Sequence, residues 1–211
     1  MIDITRRLSV ATAPWPGDTP LQIEWTLHLS RGDNVSLSRL TLSSHAGTHA
    51  DAPAHYDQEG YTTDHFDLAV FVGPVRVIDA RDCDSLTAEF FKARNAVGCS
   101  RVLVRSLEQV RPHEFVSDFL SLSPGGAEAL VGAGLVLYGT DAPSVDPMDC
   151  SAMTAHRVLG AAGIPILESL DLSEAGPGDY DLLALPMSIM AAEASPVRAV
   201  LLPAGSLTLE R

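Results

Sequence analysis

The 211 residues are 46% hydrophobic and 19% charged, an ordinary globular balance that suits a single domain over residues 1–211 without disulfides or other staples. The formal net charge is −13, with 14 Lys and Arg spread among 27 Asp and Glu, so the basic face that nucleic-acid binding requires is missing. Cys83, Cys99 and Cys150 are odd in number and far apart, the N-terminus through Arg7 carries no apolar leader, and no stretch approaches about 18 uninterrupted apolar residues. These features predict a cytoplasmic chain that neither leaves the cell nor enters a membrane.

In chain order, residues 36–42 alternate Leu with Ser, Arg and Thr, which predicts a half-buried strand. Short aliphatic runs bounded by Gly or Pro predict buried strands at 75–80, 101–105, 135–138, 164–167 and 197–202. Helices are predicted between them: 87–97, rich in helix formers; 124–131, with Ser123 as cap and proline at the first helical position; and 151–162, ending at Gly163. Strands separated by helices indicate an α/β fold, and the strand-rich first third favours a mixed sheet over a parallel, doubly wound one.

Three of the seven histidines fall within residues 45–55, which read HAGTHADAPAH. Imidazole nitrogen and carboxylate oxygen are the donors that zinc and similar divalent ions accept. Gly47 and Pro53 exclude a continuous helix here, so His45 and His49 are not a helical pair. In extended chain His49 and Asp51, two apart, point to one side, while Gly47 lets His45 fold back and Pro53 redirects His55. Far downstream, His156 and Glu168 each admit two readings. His156 is a further ligand or a solvent-facing residue of the helix at 151–162; Glu168, ending a buried strand, either pairs with a cation or caps the next turn. Trp15, between two prolines, is either a packed loop anchor or a flat surface for an aryl ring. His28, His65 and His113 are expected at the surface, and Asp141, Asp146 and Asp149 in turns and caps.

The motif at 45–55 closely resembles the H-x-G-T-H-x-D-x-P-x-H signature of the metal-dependent cyclase-like amidohydrolases. The segments PWPGDTP at 14–20, DAPSVDP at 141–147, ILE at 166–168, GDYDLLALP at 178–186 and SPVRAVL at 195–201 are similar to the formamidase branch of that family. The resemblance implies a mixed-sheet or barrel-like core with surrounding helices, of the swivelling β/β/α kind. It further implies two zinc ions held by His45, His49, Asp51, His156 and Glu168, with manganese as the other candidate metal. His55 becomes the proton donor and acceptor, although its position also permits metal ligation, and Trp15 contacts substrate. The implied activity is hydrolysis of N-formyl-L-kynurenine to L-kynurenine and formate by a homodimer. Cys150-Ser151, in place of the Ser-Lys common in relatives, departs from the pattern and bears on substrate details. Two rivals share the motif: an isatin hydrolase that uses manganese to open a cyclic amide, and a non-catalytic protein with a closed metal site.

Overall fold

The aliphatic runs become the strands of one large curled sheet. The computed structural model describes residues 1–207. Its elements are β1 (Ile2–Asp3), β2 (Gln22–Leu27), β3 (Leu37–Thr41), β4 (His49–Asp51), β5 (Val72–Asp79), α1 (Ala88–Ala93), β6 (Arg101–Arg105), α2 (Pro124–Gly132), β7 (Leu137–Thr140), α3 (Thr154–Ala161), β8 (Ile166–Glu168), β9 (Gly178–Leu183), β10 (Ala194–Pro196) and β11 (Val200–Pro203). Among the described residues, nine strands form one sheet in the order β1-β11-β9-β5-β6-β7-β8-β4-β10. The run β5-β6-β7-β8 is parallel and the outer pairings are antiparallel, as the mixed-sheet expectation requires.

Alternation along the central strands separates two cores. Val102 and Val104 of β6 and Ile166 of β8 pack on the helix side with Phe91, Leu130 and Leu159. Leu103 and Leu167 point the other way, into the concave interior with Phe71, Leu182 and Leu201. The three helices contact one another in sequence and pack together against one side of the sheet. The concave side is instead closed by the sheet's own curl and by loop residues such as Ile4 and Phe66.

Local signals hold where capping chemistry fixes them. Ser123 accepts a hydrogen bond from Gly126 N, with Pro124 in the first turn, as predicted. The third helix begins at Thr154, later than predicted, because Met153 sits in the left-handed region at φ 49°. The strand predicted at 36–42 is present but not half-buried. It pairs with β2 in a separate two-stranded ribbon whose residues are all exposed. Ile23 and Trp25 share one face of that ribbon with Leu40, while Glu24 and Arg39 pair at 2.6 Å on the other. No helix among the described residues is long and apolar enough to cross a membrane.

Gly160 lets α3 lie directly on Tyr56, whose ring packs 5.1 Å from that of His156. A Cβ there would meet the Tyr56 ring and hydroxyl at 2.5 Å. We expect Gly160→Ala to destabilise the chain by about 1–3 kcal/mol, an overpacking cost read from the shift in denaturant midpoint. An unchanged midpoint would show that the helix yields without cost.

Candidate metal centre

Strand pairing assembles the cluster. On β4, Ala50 turns into the concave core while His49 and Asp51 point to the helix side. The antiparallel register sets His49 opposite Glu168 of β8, bringing the two onto one face although they are far apart in sequence. His156 enters from α3 above that face. His45 precedes a turn in which Gly47 takes φ 64°, a conformation that glycine adopts at no steric cost and that folds His45 back over Asp51.

The donor atoms fall into two groups around the two carboxylates. Asp51 Oδ1 lies 3.1 Å from His45 Nδ1 and 3.3 Å from His49 Nε2, and Glu168 Oε2 lies 3.6 Å from the same His49 nitrogen. The opposite oxygens, Asp51 Oδ2 and Glu168 Oε1, lie 3.6 and 3.4 Å from His156 Nε2. His49 Nε2, His156 Nε2 and both Asp51 oxygens are buried without a hydrogen-bond partner. Orphaned polar atoms at this depth carry a large desolvation cost, which a bound cation removes. The donor set therefore fits divalent metal of the zinc type.

The charge balance supports that fit. Burial disfavours protonation of His49, yet Asp51 and Glu168 outweigh it and raise its pKa to about 10; Asp146, Asp51 and Glu168 likewise overcome burial and raise His156 to about 11. Asp51 is held well below the usual carboxylate range, because His49, His156 and His45 together outweigh the opposing effect of burial. Two ionised carboxylates in a dry site call for positive charge, which protons supply when metal does not.

The second ring nitrogens are also engaged. His49 Nδ1 donates to the Gly47 carbonyl at 2.8 Å, His156 Nδ1 to Asp146 at 2.7 Å, and His45 Nε2 faces Glu193 at 3.5 Å. His55 stands apart on a 3-10 turn, Pro53–His55, with its ring 4.2 Å from that of His45 and exposed to the pocket. A donor nitrogen of His55 still lies within 4.8 Å of donors from His45 and Asp51, so the geometry leaves both of its predicted roles open. Loss of water around the ring, joined by the neighbouring His45 and His156, outweighs Asp51 and Glu168 and lowers its pKa, favouring the neutral ring.

A cavity of about 250 Å³ opens over the cluster, a size for a small molecule. Trp15 lines it and packs edge-to-face on Phe115 at 5.1 Å, so it serves as both a loop anchor and a pocket wall. Arg6 also lines the cavity, as do Arg111, Glu114 and Phe115, which were not singled out from the sequence because nothing in the irregular 107–120 stretch signals that it folds against residues 11–15. His28, His65 and His113 lie outside the cluster; His65 and His113 are exposed, whereas His28 is half-buried and caps a 3-10 turn. Asp141 is a turn residue, accepting from Ser106 and Leu107, and Asp149 is exposed. Asp146 is a cap, and its bond to His156 is an addition that sequence reading missed.

The cyclase family model, described as "Putative cyclase", matches residues 2–147. The chain is 43% identical to a kynurenine formamidase of Salinibacter ruber (strain DSM 13855 / M31), over 95% of this chain and 96% of that protein. It is 40% identical to a kynurenine formamidase of Bacillus cereus (strain ATCC 10987 / NRS 248), over 96% and 97% respectively. A crystal structure of an isatin hydrolase bound to the product analogue thioisatinate superposes with a TM-score of 0.84 at 25% identity, covering 96% of this chain and 92% of the other. With the fold, the donor cluster and near full-length relatives in agreement, the chain belongs to the cyclase family and, within it, to the kynurenine formamidase group.

Proposed function

We propose that this chain is a metal-dependent amidohydrolase that converts N-formyl-L-kynurenine and water to L-kynurenine and formate, with two zinc ions held by His45, His49, Asp51, His156 and Glu168. The observation that carries the metal reading is the convergence of unpartnered buried donors on two sides of Asp51 and Glu168. The substrate reading is supported by relatives at 40–43% identity over nearly the whole chain. When bound, the two cations lower the pKa of water toward about 7 and stabilise negative charge on the formyl oxygen.

His55 moves the protons. Its neutral ring takes a proton from water as the new bond to the formyl carbon forms. The same ring then delivers that proton to the aryl nitrogen as the carbon–nitrogen bond breaks, since an arylamide anion is too poor a leaving group to depart unprotonated. Trp15 and Phe115 supply an aromatic wall for the aryl ring. We expect Trp15→Ala to raise KM about 5-fold with a smaller change in kcat, consistent with about 1 kcal/mol of lost stacking. An unchanged KM would assign Trp15 to loop packing alone.

Isatin hydrolysis with manganese draws support from structural likeness at 25% identity, which is weaker than the sequence support for formamidase activity. Presenting both substrates to one preparation separates the two: formate release from N-formyl-L-kynurenine supports the first reading, and preferential ring opening of isatin replaces it. We also propose a cytoplasmic homodimer. The three free cysteines support the compartment, and the exposed Ile23, Trp25 and Leu40 face of the ribbon supports seating against a second copy. Light scattering at twice the chain mass is the expected result, and a monomer at assay concentration overturns the dimer.

A further inference from the structure

We propose that Asp146 is the positioning residue that fixes the tautomer of His156, aiming Nε2 at the metal position while tying the ring to the start of α3. The inference rests on the reading of His156 as a metal ligand. It arises from an irregular helix start. Met153, in the capping position of α3, has left-handed backbone geometry and offers no side-chain acceptor, leaving the first-turn N–H groups without a local cap. Asp146, in the loop before the helix and 1% exposed, supplies the acceptors.

Asp146 Oδ1 accepts from Thr154 Oγ1 at 3.1 Å and from Ala155 N at 2.9 Å. Oδ2 accepts from His156 N at 3.0 Å and from the His156 ring at Nδ1, 2.7 Å away. An ionised carboxylate only accepts hydrogen bonds, so the hydrogen sits on Nδ1. With that hydrogen held on Nδ1, Nε2 is the nitrogen that offers its lone pair when a metal takes the place of a proton; it has no hydrogen-bond partner and faces Asp51 Oδ2 and Glu168 Oε1. Because the oxygen that holds the ring is itself fixed by the His156 backbone N–H, the ring meets an acceptor of set position and cannot rotate without losing the Nδ1 bond. The other histidines are held differently: His49 by a backbone carbonyl, and His45 by Glu193, whose side chain is 44% exposed. Asp146 is thus the fully buried carboxylate among the three supports.

The test combines nitrogen NMR on the wild type with zinc affinity of variants. In zinc-loaded wild-type protein with ¹⁵N-labelled histidine, His156 is expected to show a protonated Nδ1 and a zinc-bound Nε2. Zinc on Nδ1 overturns the proposal, and His156 unaffected by zinc overturns the ligand assignment beneath it. Asp146→Asn can still accept at the helix start but places an amide donor near the ring. Its zinc affinity, from chelator competition on folded protein, is expected to fall about 10–100-fold. Thr154→Val, which removes one cap bond and leaves the ring contact intact, is expected to lower thermal stability with zinc affinity unchanged. Wild-type affinity in folded Asp146→Asn overturns the positioning role while leaving the metal reading in place. Should that variant not fold, the wild-type nitrogen assignment decides alone.

Discussion

His55→Ala is expected to lower kcat for formate release about 10²–10⁴-fold, the usual contribution of one general acid-base group, while zinc content stays at the wild-type level. The size of the effect follows from the double duty proposed for it, in which one ring would remove a proton from water and return it to the aryl nitrogen. The pH profile carries a second signature. Desolvation lowers the pKa of His55 below 6.5, so its neutral, proton-accepting form persists into mildly acidic solution. The acid limb of kcat/KM should therefore fall below pH 6.5 in the wild type and disappear from the residual activity of His55→Ala. Element analysis on the same samples decides between the two roles its position allows. Loss of zinc together with activity would make His55 a ligand instead, and full activity would remove it from the mechanism.

Asp51→Asn is expected to be more damaging because Asp51 faces both donor groups. Its two oxygens separately approach His45 and His49 on one side and His156 on the other. Asparagine keeps the shape but provides one neutral oxygen and a donor where an acceptor is needed. We expect zinc affinity and formate release each to fall by at least about 100-fold, the upper range for losing even a supporting residue. The metal-free fold should also suffer. Asp51 is wholly buried and is among the groups that hold His49 and His156 protonated in the metal-free fold, so its removal takes a buried charge partner from both rings. Breaking a buried charge pair costs about 3–5 kcal/mol, measurable as a lower denaturant midpoint in chelator-treated protein. Retention of both metals and wild-type turnover would remove Asp51 from the centre.

The legible part of the site was the contiguous part. His45, His49, Asp51 and His55 sit within eleven residues whose Gly and Pro exclude a helix, so local geometry alone allows them to converge. His156 and Glu168 reached the cluster through resemblance, because what unites them is the β4–β8 register and the placement of α3, neither of which leaves a local trace. Asp146 looked like a cap and is one. Its contact with the imidazole depends on where α3 starts, and a left-handed Met153 moved that start. Central strands were legible from aliphatic runs, whereas β4 and β10 were too short and polar to stand out. The alternation at 36–42 correctly indicated a strand and misled about burial, since a two-sided pattern records that one face prefers cover without naming what provides it.

Hydrolysis is expected to depend on cations held by His45, His49, Asp51, His156 and Glu168. The most direct measurement strips the protein with a chelator, assays formate release from N-formyl-L-kynurenine, and titrates zinc back with metal content recorded on the same sample. Stripped protein is expected to give no release above background, and recovery is expected to saturate at two zinc ions per chain. Full formate release from metal-free protein would contradict it.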